Sequence, residues 1–125
     1  MGQYDQALPL YQRALAIHEK VLGPEHPATA LSVTNLGFLY KAMGQYDQAL
    51  PLYRRALAIH EKVLGPEHPD TATSVNNLGL LYQAMGQYDR ALPLYQRALA
   101  INEKVLGPEH PHTAQSVNKD RKSVV

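Results

Sequence analysis

The chain has 125 residues, enough for one domain or one repeat array. Its 12 Lys and Arg nearly balance its 11 Asp and Glu, and a formal net charge of +1 supplies no basic footprint for nucleic acid or an anionic membrane. Cysteine is absent, which excludes disulfides and thiolate chemistry.

No apolar run approaches the roughly 18 residues of a membrane span, and no secretory signal opens the chain, which predicts a cytoplasmic setting. Met1-Gly2 is how a myristoylation signal begins, but Gln6 stands where Ser or Thr is required.

Internal repetition organises the whole sequence. Gly2-Gln3-Tyr4-Asp5 returns as Gly44-Gln45-Tyr46-Asp47 and as Gly86-Gln87-Tyr88-Asp89, a period of 42 residues. Residues 2–43 and 44–85 differ at six positions, and 86–118 differs from 44–76 at five. The reading is one array over 1–125, with repeats 2–43 and 44–85, an incomplete 86–118 and a divergent tail 119–125.

Taken in chain order, the first predicted helix covers 3–22, where Tyr4, Ala7, Leu8, Tyr11, Ala14 and Leu15 recur at helical spacing. The next covers 28–43 and its copy 70–85, with Val75, Leu78, Tyr82 and Met85 spaced three or four apart. Pro69 stands at its entry, where a missing N–H has no partner to lose, and Gly86 ends it in a left-handed conformation. A longer helix follows over 45–64 and again over 87–106. Its flank is Tyr46, Ala49, Leu50, Tyr53, Ala56, Leu57, His60 and Leu64, and Gly65-Pro66 stops it. A sixth helix begins near 112 and reaches about 120. Each period thus holds a first and a second helix, neither able to bury its apolar flank without stacked neighbours.

Pro9, Pro51 and Pro93 break the local rule by lying inside the second helices, where proline costs a hydrogen bond and a steric clash. With Asp47 as N-cap only the first intrahelical bond is affected; a bend near the helix start is the other solution.

The residues Val33, Leu36-Gly37, Tyr40, Ala49 and Tyr53, repeated as Val75, Leu78-Gly79, Tyr82, Ala91 and Tyr95, resemble the pattern of the tetratricopeptide repeats. Small residues let helices approach closely and rings fill the gaps between them. Val33 and Val75 replace a larger aromatic, and the period of 42 exceeds the family's usual length of about 34. This variant resembles the repeats of kinesin light chains and of many bacterial signalling proteins. The resemblance implies an all-α fold, an α-solenoid in which antiparallel helix pairs form a right-handed superhelical array. It further implies a non-catalytic scaffold without a cofactor, binding a peptide or protein segment in a concave groove lined by first helices.

Five of the six differences between the first two copies fall at Ala28/Asp70, Leu31/Thr73, Thr34/Asn76, Phe38/Leu80 and Lys41/Gln83. Their spacing of three, three, four and three traces one stripe on the first helix. By resemblance the stripe lies where family members contact ligand. Neighbouring Asn35 and Asn77 match a place where they hydrogen-bond a bound peptide's backbone. The candidate groove residues are therefore Leu31, Thr34, Asn35, Phe38, Lys41, Thr73, Asn76, Asn77, Leu80 and Gln83. A solvent-facing stripe is also free to drift after duplication without binding anything. Lys41 is the one basic residue on it, so a segment with apolar side chains is expected over a carboxylate-terminated peptide.

Catalytic and metal chemistry find little support. His26, His68 and His110 recur once per period, and equivalent residues of adjacent repeats stand roughly 10 Å apart, too far to share a metal. They read as loop histidines near a helix start. His18 and His60 become Asn102, and the eight tyrosines read as core. No nucleophile, base and acid are placed to form a triad, and no phosphate loop is present.

The ends suggest an alternative function. Met1 is in phase with Met43 and Met85, so the chain opens on a second helix that lacks its first-helix partner. The flank Tyr4, Ala7, Leu8, Tyr11, Ala14 and Leu15 would then seek another surface, by end-to-end stacking or helix exchange into a homo-oligomer. A fragment of a longer array is equally compatible.

Overall fold

A computed structural model describes residues 2–107 and Pro111. Its elements are five helices, α1 (Gly2–Leu22), α2 (Pro27–Ala42), α3 (Tyr46–Val63), α4 (Pro69–Ala84) and α5 (Tyr88–Val105), with no strand among the described residues. The sixth predicted helix, 112–120, lies outside them. The chain falls into two compact units, 1–63 and 64–125, so α1, α2 and α3 belong to the first and α4 and α5 to the second.

The helix boundaries follow from local chemistry. Pro27 and Pro69 open α2 and α4, and His26 and His68 precede them in extended backbone as N-caps. Each imidazole Nδ1 accepts the N–H of the residue two further on, Ala28 or Asp70, at 3.0 Å. His26 and His68 are thus caps, satisfying one of the orphan donors of a helix start. Gly44 and Gly86, at φ +75 and +77, end the same helices. The N–H groups of Gln45 and Gln87 return to the carbonyls of Tyr40 and Tyr82 at 2.9 Å, the bond of a Schellman motif. Thr29 and Thr71, fully buried, donate their hydroxyls at 2.7 Å to the carbonyls of Gly23 and Gly65, closing each connection.

The second helices run through Pro9, Pro51 and Pro93 without a break. Asp47 is not the N-cap: α3 begins at Tyr46, and the Ala49 N–H already bonds the Gln45 carbonyl at 3.1 Å. Proline at 51 therefore costs a bond in the second turn, the one to the Asp47 carbonyl.

In the first unit, α2 and α3 pack through Val33, Leu36 and Gly37 on one side and Ala49, Tyr53, Ala56 and Ile59 on the other. The buried stripe of α3 closes on Ile59, 4% exposed, and not on His60, which is half-buried. Gly37 is fixed by this packing: a Cβ there would run into the Tyr53 ring. The second unit repeats the arrangement, with the Tyr95 ring 2.7 Å from a Cβ built on Gly79 and with Ala91, Ala98 and Ile101 buried.

α1 packs on α2, with Leu8, Leu15 and His18 half-buried. His18 Nδ1 and Ser32 Oγ share a hydrogen bond, and Gln12 Nε2 donates to Tyr40 Oη at 3.5 Å. None of its residues is buried. Tyr11 is 41% exposed and Ile17 49%, against 2% for Tyr53 and 4% for Ile59, their counterparts one period on.

Candidate functional site

The variable stripe lies largely outside the buried face on α2 and is mostly half-buried on α4. On α2, Ala30, Ser32, Val33, Leu36, Gly37 and Leu39 are buried, while Leu31, Asn35 and Phe38 are exposed and Thr34 and Lys41 half-buried. Leu31 and Phe38 are 60% and 44% exposed, which leaves a large apolar pair in water seven residues, or about two turns, apart. Phe38 is held edge-on against the Tyr53 ring, with centroids 5.6 Å apart at 86°. The Thr34 hydroxyl donates back to the Ala30 carbonyl at 2.9 Å, so it is already satisfied. Burial lowers the pKa of Lys41 from the usual lysine range, because the ammonium is partly desolvated.

On α4 the stripe is more polar. Thr73 is exposed and donates to the Pro69 carbonyl at 3.2 Å, while Asn76, Asn77, Leu80 and Gln83 are half-buried. Gln83 Oε1 accepts the Tyr95 hydroxyl at 2.6 Å. Asn76 Oδ1 is buried without a protein partner. Arg90 lies over the Tyr82 ring at 5.9 Å from its centroid.

Two features of the site escaped the sequence. The hydroxyl of Tyr53 is buried without a partner, whereas that of Tyr95 is bonded, because Lys41 occupies the place of the acceptor Gln83. Pairing Lys41/Gln83 with Tyr53/Tyr95 requires knowing which side chains meet across two helices. The second is Ile17, part of the exposed flank of α1; its spacing of three from Ala14 and its recurrence as Ile59 and Ile101 were the available signal. Of the other flank residues, Tyr4, Tyr11 and Ala14 are exposed, and Ala7, Leu8 and Leu15 are half-buried.

Among the described residues, no group of three or more His, Asp or Glu is disposed to hold a metal ion, and no helix is long and apolar enough to cross a membrane.

Comparison with known proteins agrees with this architecture. The tetratricopeptide repeat family model matches residues 1–50, 30–104 and 71–118. The chain belongs to the tetratricopeptide repeat family, and its fold is of the α-solenoid class. Among solved structures it is similar to the nearly identical TPR-like repeats of a kinesin light chain assigned in Podosopora anserina. That match has 35% identity and a TM-score of 0.86, and covers 98% of this chain and 58% of that one. It is also similar to BtubC (BKLC) from P. vanneervenii, with 28% identity, a TM-score of 0.88, and coverage of 98% of this chain and 49% of that one. The chain therefore spans from about half to just under three-fifths of the length of these solved chains. No curated protein matches it. Repeats of this family generally mediate protein–protein interaction and are typically non-catalytic.

Proposed function

We propose that the chain is a non-catalytic interaction module whose variable stripes on α2 and α4 hold a peptide or protein segment with apolar side chains. One observation carries the reading: positions that differ between near-identical repeats include the apolar residues left in water, Leu31 and Phe38, on a helix whose other face is buried. Drift alone favours polar replacements at such places, so an apolar pair kept in water points to a partner that covers it. The overlap of the matched spans 1–50, 30–104 and 71–118 supports treating 1–125 as one array. Phage-displayed peptides selected on the chain test the reading. The enriched peptides are expected to carry apolar anchors and to lose at least roughly tenfold in affinity when Phe38→Ser and Leu80→Ser are combined, as for truncated hot spots. Peptides that bind the double variant as well as the parent would overturn it.

A second reading, homo-oligomerisation through α1, is favoured by one contrast: Tyr11 is 41% exposed where its counterparts Tyr53 and Tyr95 are 2% and 0%. Each large side chain covered contributes about 1.5–3 kcal/mol. Sedimentation over a wide concentration range is the measurement. Association that Tyr11→Glu dissolves supports this reading, and a monomer at every concentration removes it.

A further inference from the structure

The two copies close the space between first and second helix differently. In the second unit Tyr95 Oη donates to Gln83 Oε1 at 2.6 Å, so the hydroxyl has its acceptor. In the first unit Lys41 stands in the place of Gln83, and Tyr53 in that of Tyr95. An ammonium has donors and no acceptor, so it cannot receive the hydroxyl. Tyr53, 2% exposed, accordingly keeps its Oη buried without a partner. Lys41 is half-buried and has no ion pair or hydrogen bond among the described residues. Burial lowers its pKa, with no opposing charge to offset the desolvation.

Two unmet donors therefore stand where the second unit has a completed hydrogen bond. Surface lysines ordinarily avoid this state by extending the ammonium into water. Both groups cost stability as they are, and a single glutamine at the same place removes the cost in the second unit. The two donors lack the same thing, an acceptor. A carboxylate has two oxygens and supplies one to each.

The surroundings indicate where such a carboxylate comes from. The exposed Phe38 ring, edge-on against Tyr53, lies about one turn before Lys41 on the same face of α2. The exposed Leu31 lies two turns further back. From Leu31 to Lys41 is about 15 Å of helix, the reach of roughly five extended residues. An apolar pair with a cation at one end matches a segment that carries an acid close to its apolar side chains.

We infer that Lys41 and the Tyr53 hydroxyl form a seat for the side-chain carboxylate of an Asp or Glu in the bound segment, open in the first copy and closed by Gln83 in the second; this rests on the interaction reading above. The hydroxyl is covered in the free chain. The seat opens as the carboxylate draws the ammonium toward it on its flexible four-carbon stem. The first stripe thus selects by charge, and the second adds contacts without it.

The test is selection on the full chain from a random phage-displayed peptide library in which no peptide has a free C-terminus. Enriched sequences are then titrated as synthetic peptides with amidated ends, and circular dichroism verifies that each variant folds. The peptides are expected to carry Asp or Glu within about five residues of an apolar anchor. Replacing that acid by its amide is expected to weaken binding to the parent roughly tenfold and to leave binding to Lys41→Gln unchanged. Tyr53→Phe is expected to weaken binding of the acidic peptide several-fold. Enriched peptides without an acid, or an amide replacement felt equally by parent and Lys41→Gln, overturn the seat and leave the interaction reading standing. Tight binding that needs a free C-terminal carboxylate in place of the side chain overturns it too, as does Tyr53→Phe binding like the parent. A chain that enriches no peptide overturns both.

Discussion

Tyr53 and Tyr95 occupy the same place in successive copies, and their rings lie on the equivalent glycines Gly37 and Gly79, yet their hydroxyls differ. Tyr95 Oη donates to Gln83 Oε1 at 2.6 Å, while Tyr53 Oη is buried with no partner because Lys41 replaces the glutamine. An unmade buried hydrogen bond costs more than a made one contributes. Tyr95→Phe is therefore expected to destabilise by about 1 kcal/mol and Tyr53→Phe by no more than a few tenths. Lys41→Gln, which supplies the missing acceptor and removes a desolvated ammonium, should stabilise by about 1 kcal/mol. Urea midpoints of the three variants decide the matter; equal losses for both tyrosines would show that the Gln83 bond has no net value.

Burial also gives these tyrosines a pH signature. The Tyr95 pKa is pushed up to about 12 by desolvation, and that of Tyr53 is raised for the same reason. The folded state holds each phenol neutral, so the contribution is complete below the unfolded value near 10 and is lost as pH rises through the folded value. Stability is thus expected to fall from about pH 10 upward, with a shallower fall in Tyr95→Phe. A stability curve flat to pH 12 in the parent would contradict this.

At the scale of the element, much was legible because the signals are local. Pro27 and Pro69 at helix entries and Gly44 and Gly86 at exits set boundaries that the structure places within a residue or two of expectation. The misses were equally physical. His26 and His68 were seen as loop residues, but a histidine Nδ1 at an N-cap does the work usually given to Ser or Asp, which composition does not announce. His68→Ala is expected to cost about 1 kcal/mol, with the loss restored by His68→Ser, measured as a shift in thermal midpoint. An alanine variant as stable as the parent would mean the cap bond is matched by water. The prolines at 51 and 93 could not be resolved from sequence, since only the Gln45 and Gln87 carbonyls reveal where each helix begins. Gly37 and Gly79 are required for close approach, not for backbone freedom. Gly79→Ala drives a methyl into the Tyr95 ring and is expected to cost about 1–3 kcal/mol by overpacking. A neutral Gly79→Ala would imply that the ring shifts freely.

At the scale of the whole molecule, sequence alone determined the repeat, the helix class, the alternation of first and second helices and the family. Each of these is written in periodic spacing, and a period of 42 residues repeated with so few changes leaves little else to choose. The stripe of differences on the first helices was also legible, because helical spacing places those positions on one face whatever the helix packs against. Burial was decided elsewhere. Tyr11, Tyr53 and Tyr95 are the same residue in nearly the same local sequence, yet one is 41% exposed and the others 2% and 0%. The difference comes from whether a glycine-bearing helix lies across from the ring, as α2 does for Tyr53 and α4 for Tyr95. The unequal hydroxyls of Tyr53 and Tyr95 arise likewise from a residue twelve positions away in sequence and adjacent only after packing. Local pattern specifies what a side chain is able to do; the surface opposite it, which exists only in the folded structure, decides what it does.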